Sequence, residues 1–186
     1  MSPRGVSLGW RAAYLLAASG IYLVDQASKA WAVRALRFGQ TKTVISNFLI
    51  FEYAENPGIA FGGLRESGSF GRWFLVVLAA AAAVAVLFYF FRVPRSDDRV
   101  LGACALILAG IVGNLTDRLR LGHVIDFILV DLGFFRWPNF NVADASICIG
   151  AVLLAFDMIF SGRSQESGVR NQKDEQKPEA GIQTPE

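Results

Sequence analysis

The chain lacks the residue patterns most hydrolases use. There is no H-E-x-x-H pair to hold a zinc-bound water, no G-x-S-x-G turn to expose a serine, and no Walker loop. His123 is the only histidine and reads as a packed or hydrogen-bonding residue. Cys104 and Cys148 lie inside apolar runs without C-x-x-C spacing, so they read as small buried hydrophobes. Aspartate is the chemistry that remains. Two aspartates that share a site cannot both ionise easily, so one proton is held between them. The ionised member can take a proton from water as that water attacks a carbonyl. The protonated member can polarise the carbonyl and then protonate the leaving amine. Such chemistry needs neither a metal nor a cofactor.

The elements that would position these groups are apolar. Of 186 residues, 53% are hydrophobic and 18% charged, against about 25% charged in an average soluble domain. The net charge of +2 gives no reason to expect nucleic acid as a partner. The apolar excess comes in blocks. "WFLVVLAAAAAVAVLFYFF" (Trp73–Phe91) has no charge, and a helix of that length nearly crosses a ~30 Å hydrocarbon core. Weaker spans surround it. The fold expected is therefore an α-helical polytopic membrane protein, with spans at about 12–33, 70–91, 100–117 and 143–160 in one domain over 1–162. Four spans put both termini on one side, and a slight excess of Arg and Lys there favours the cytoplasm. The first span is read as an uncleaved helix. Residues 40–66 are β-branched and aromatic-rich with an Asn-Pro-Gly turn signal, which predicts two or three short strands on the extracytoplasmic side. Residues 163–186, rich in Gln, Glu, Lys, Gly and Ser, are expected to be disordered.

Placed by depth, the polar residues collect at one membrane face. Asp25 and Lys29 lie near the outer end of span one, Asn114, Asp117 and Arg118 at the outer end of span three. Asn141 and Asp144 stand at the outer start of span four, with Asp126 in the loop before it. Each has an ordinary explanation. Asp25 and Lys29 are four apart, a helix ion pair. Asp117 beside Arg118 suits an interfacial helix end. Asn141 or Asp144 can cap a helix. An ionised Asp at mid-bilayer costs roughly 2.5–3.5 kcal/mol on insertion scales, so convergence at one depth favours function. A small transporter would instead carry ionisable groups at several depths, whereas Asp157 stands alone near the inner end. A non-catalytic scaffold would leave the outer cluster unexplained.

Five stretches occur in order: "DQASK" (Asp25–Lys29), "ENPGIAF" (Glu55–Phe61), "GNLTDR" (Gly113–Arg118), "GHVIDF" (Gly122–Phe127) and "FNVAD" (Phe140–Asp144). With them the chain resembles the bacterial lipoprotein signal peptidase (signal peptidase II) family. The resemblance implies an aspartyl endopeptidase of the bacterial cytoplasmic membrane, with its site facing outward. Its substrate would be a diacylglyceryl-modified prolipoprotein, cut just before the lipid-bearing cysteine. It implies Asp126 and Asp144 as the catalytic pair. Asp25, Lys29, Asn56, Asn114, Asp117, Arg118 and Asn141 would give polar support or bind substrate, and Ala143 belongs to the same pattern. It implies no metal, no cofactor, membrane lipids as surroundings and a monomer. Pro57 and Ile59 depart from the small residues more usual in the family at that turn.

Overall fold

The computed structural model describes residues 9–37, 39–58, 69–94 and 96–175, with backbone alone for Ser69 and 161–175. The described residues form four helices: α1 (Gly9–Leu36), α2 (Ser69–Arg92), α3 (Asp98–Arg120) and α4 (Val142–Glu175). Three of them, over Phe70–Arg92, Asp98–Arg120 and Val142–Phe160, are long and apolar enough to cross a membrane. Within such a segment the helix satisfies every backbone polar group internally, as lipid requires. At 28 residues α1 has the length, but Arg11, Asp25, Lys29 and Arg34 lower its hydropathy.

α3 packs against α1, α2 and α4. Its small residues let neighbours approach closely. A Cβ at Gly113 would stand 2.6 Å from Asp25 Oδ2 and 3.2 Å from Ala143 Cβ, so only glycine fits where α1, α3 and α4 meet. Just past the end of α3 comes Gly122, whose φ of 86° suits glycine and whose N–H donates to Arg118 O at 3.2 Å. Arg72 of α2 donates to Arg118 O at 3.0 Å and Leu119 O at 2.7 Å, satisfying carbonyls that the helix end leaves free. At the opposite end Arg11 donates to Phe91 O and Val93 O, tying α1 to the end of α2.

Strands are present in the predicted segment as β1 (Thr41–Ile45) and β2 (Leu49–Asn56), paired antiparallel. A third strand, β3 (Val124–Val130), pairs antiparallel with β2 and completes the order β1-β2-β3. The sequence reading had left this segment as a loop. The sheet lies against the C-terminal half of α1: Ile125 and Phe127 pack with Ala32 and Leu36. Trp31, Phe51 and Phe127 meet edge-to-face with centroids 5.6–6.2 Å apart.

α4 runs on as helix past residue 163 to Glu175. Gln, Glu, Lys and Arg propagate a helix well once its first turns exist, at one hydrogen bond per residue. Cys148 is exposed on the side of α4 turned away from the bundle, while Cys104 is buried as expected. Residues 176–186 of the tail and 59–66 of the outer loop lie outside the described residues.

Candidate active site

The start of α4 is built by Asn141 and Asp144 together. Asp144 N–H donates to Asn141 Oδ1 at 2.9 Å, and Asn141 N–H donates back to Asp144 Oδ2 at 3.3 Å. This is a reciprocal cap over the first turn. The next free amide, Ala143 N–H, donates to Asp25 Oδ1 of α1 at 2.9 Å. Two carboxylates thus meet the positive end of the α4 dipole. The capping account of Asn141 and Asp144 is correct, and it holds together with a place in the site.

Asp126 comes from β3. The register of β2 slips by one residue between Phe51 and Ala54, beside Asp126, whose Cα partner is Ala54. A bulge bends a strand and re-aims side chains near it. Asp126 is 2% exposed. Asn56 Nδ2 donates to its Oδ2 at 2.9 Å, and Asn141 Nδ2 donates to its Oδ1 at 2.7 Å. Burial is the largest influence on its titration and pushes it up to about 6 from 3.8. The Asp144 charge adds to the rise, while the two amide donors and Lys29 oppose it. Asn56 is itself oriented, because Gly58 N–H donates to its Oδ1 at 2.8 Å.

Behind this pair lies a buried ionic layer. Lys29 Nζ is 2.9 Å from Asp25 Oδ2 and 2.8 Å from Asp117 Oδ2, and donates to Asn114 Oδ1 at 3.0 Å. Asp25–Lys29 is therefore more than a pair within one helix; it crosses to α3. All four residues are buried. Asn114 Nδ2 donates to Asp144 Oδ1 at 2.7 Å. Asp117 also accepts the Ile125 N–H at 3.3 Å, linking α3 to the base of β3. Gln26, which the sequence reading passed over, donates to Asp25 Oδ2, Asp117 Oδ1 and Gly113 O at 3.1–3.3 Å. Its place inside "DQASK" was the available signal. Arg72 carried no such signal, since its role depends on where α3 ends.

Arg118 is half-buried, and its Nε has no hydrogen-bond partner among the described residues. Its guanidinium acts electrostatically on Asp144, Asp126 and Asp117. All nine residues singled out from sequence are thus joined by hydrogen bonds, ion pairs or charge. Others stay apart. His123 Nε2 lies 3.8 Å from Glu55 Oε1, a partly exposed contact between β2 and the segment before β3. Asp157 lies thirteen residues past Asp144 on α4, about 20 Å along the axis.

The chain is thus a bundle of apolar helices with a small sheet over one end, and Asp126 and Asp144 are held by amide side chains between them. A family model described as "Signal peptidase (SPase) II" matches residues 17–160. The chain belongs to the signal peptidase II family and is a peptidase. Among proteins called lipoprotein signal peptidase, it is 42% identical to that of Cellvibrio japonicus (strain Ueda107), over 80% of this chain and 86% of the relative. It is 38% identical to that of Teredinibacter turnerae (strain ATCC 39867 / T7901), over 87% of this chain and 94% of the relative. A solved bacterial membrane enzyme shares the fold with a TM-score of 0.72 at 28% identity, covering 79% of this chain and 92% of its own.

Proposed function

We propose that the protein is an aspartyl endopeptidase that removes the signal peptide from diacylglyceryl-modified prolipoproteins, cutting just before the lipidated cysteine. One observation carries the assignment of the reacting groups: the Asn141 side chain bonds Asp126 and the Asp144 amide together. Two carboxylates from consecutive elements, β3 and α4, are thereby held as a unit. A water between them would lose a proton to the ionised member as its oxygen attacks the peptide carbonyl. The protonated member would donate to the carbonyl oxygen, giving a neutral gem-diol. As the C–N bond breaks, the member that took the water's proton would pass it to the departing amide nitrogen while the other recovers a diol proton, returning the pair to a single shared proton. Asn56 and Asn141 orient Asp126; Asn114 orients Asp144.

The depth of the site fits this substrate. Asp144 stands in the first turn of α4, directly above an apolar stretch that reaches Phe160. A substrate whose acyl chains stay in lipid can present the peptide beside its cysteine at that boundary. In this reading α1 also crosses, both termini are cytoplasmic, the sheet lies outside the cytoplasmic membrane, and the monomer suffices. The test is incubation of the purified protein with a lipidated prolipoprotein. Loss of the signal peptide is expected, with no cleavage of an unlipidated precursor. An unchanged lipidated precursor, beside an active family member, defeats the assignment.

A further inference from the structure

Lys29 has no direct contact with Asp126 or Asp144, yet one bond separates it from the pair. Asn114 is the link. Its Oδ1 receives two donors, Lys29 Nζ at 3.0 Å and Asn141 Nδ2 at 3.2 Å. An amide carries its oxygen and its NH₂ on opposite sides, so fixing the oxygen fixes the nitrogen. Asn114 Nδ2 therefore has to face Asp144 Oδ1, 2.7 Å away. The second Asp144 oxygen receives the Asn141 backbone N–H at 3.3 Å. Both oxygens of Asp144 are presented with donors, at the N-terminus of a helix, in a half-buried position.

We infer that Lys29 is a positioning residue: by holding the Asn114 oxygen it aims the Asn114 N–H at Asp144, keeps Asp144 the ionised base, and leaves the proton of the pair on Asp126. This deepens the aspartyl-peptidase reading above and rests on it. Lys29 itself is held by Asp25 on its own helix and Asp117 on α3, which fix the ammonium among buried groups. Asp144 is faced by Arg118 and Asn114 of α3, by Asp126 of β3, and by Asn141 at its own helix start; α1 brings Asp25 to the adjoining amide. Asp126 also accepts two amide donors. It differs from Asp144 in being fully buried and on a strand, without a helix dipole to favour its charge.

The experiment is the pH dependence of kcat/KM for the full-length protein in detergent with a lipidated prolipoprotein, for wild type, Lys29→Gln and Asn114→Asp. Asn114→Asp retains an oxygen for Lys29 but replaces the N–H facing Asp144 with a carboxylate oxygen. Both variants should move the acid limb to higher pH, by about one unit or more for Asn114→Asp, because a nearby like charge favours the protonated form. KM should change little beside kcat. An acid limb that stays in place while kcat falls means that Lys29 only supports the fold, and overturns the inference. If Lys29→Gln does not accumulate in membranes, Asn114→Asp decides, since it keeps both Lys29 ion pairs. In the wild type, carboxyl ¹³C shifts just below the Asp126 midpoint should show Asp144 ionised and Asp126 neutral; the reverse also overturns it. A wild type that fails to cleave would strike at the peptidase assignment instead, while the carboxyl shifts still test the proton placement.

Discussion

Asn141 Nδ2 lies 2.7 Å from Asp126 Oδ1, a bond between the residue that starts a helix and a residue of a strand. The same side chain turns its oxygen to Asp144 N–H at 2.9 Å. One residue therefore caps α4 and orients a candidate catalytic carboxylate. The two duties can be separated by substitution. Asn141→Ser keeps a capping oxygen and loses the amide donor. Asn141→Ala loses both.

Cleavage should fall by on the order of 100-fold in both variants, since small misplacements of reacting groups cost that much. Stability should fall by about 1 kcal/mol more in Asn141→Ala than in Asn141→Ser, the usual worth of a helix cap. Thermal midpoints and initial rates measured on the same preparations check this. Full activity in Asn141→Ser would show that the bond to Asp126 is dispensable.

Three aspartates provide an internal control. Asp126→Asn and Asp144→Asn should each abolish cleavage while the protein remains inserted. The double variant should be scarcely worse than either alone, because the pair acts as one unit. Asp157→Asn, near the other end of the apolar part of α4, should cleave at close to the wild-type rate. Initial rates at matched membrane levels decide the matter. An inactive Asp157→Asn beside an active Asp144→Asn would put the site at the wrong end of the helix.

Asp126 should make the fold more stable in acid. Its folded midpoint of about 6 lies above the ordinary 3.8, so the folded state binds its proton more tightly. Below 3.8 both states are protonated and the group has no effect. Between 3.8 and about 6 stability falls as pH rises, and above that the full cost of a buried charge is present. That cost is on the order of 3 kcal/mol, at 1.36 kcal/mol per unit. Chemical denaturation across this window should show a downward slope in wild type that Asp126→Asn reduces. Parallel curves for the two proteins would contradict it.

Cleavage should survive metal removal. The oxygens of Asp126 are taken by the Asn56 and Asn141 amides, and those of Asp144 by Asn114 and a backbone N–H. Donors in these places compete with a cation. EDTA treatment and dialysis should leave the rate unchanged. Loss of activity that zinc or another divalent ion restores would require a different mechanism.

Topology follows from the four-span reading. Reporters fused after Arg65 and Arg136 should be external, and those after Pro94 and Glu186 internal. An external reading at Pro94 would invert the arrangement and remove the site from the lipoprotein-bearing face.

The sequence by itself determined the helices of the apolar blocks, because a helix closes its hydrogen bonds locally and lipid permits little else. The 70–91 and 100–117 blocks lie within α2 and α3. It also marked the polar residues of the site, since ionisable groups at the edge of such blocks need a reason to be there. β1 and β2 were legible from their β-branched and aromatic residues. β3 was not. "VIDFILV" is a short apolar run without alternation, and its identity as a strand comes from pairing with β2 and packing on α1, both non-local. The same reason hid the work of Lys29 and Gln26. Along the chain Lys29 is four residues from Asp25; only the close approach of α1 and α3 at Gly113 sets it between two aspartates and an asparagine. Which oxygen each amide turns toward which carboxylate is decided by tertiary structure alone, since Asn114 and Asn141 each need partners from other elements to fix their orientation.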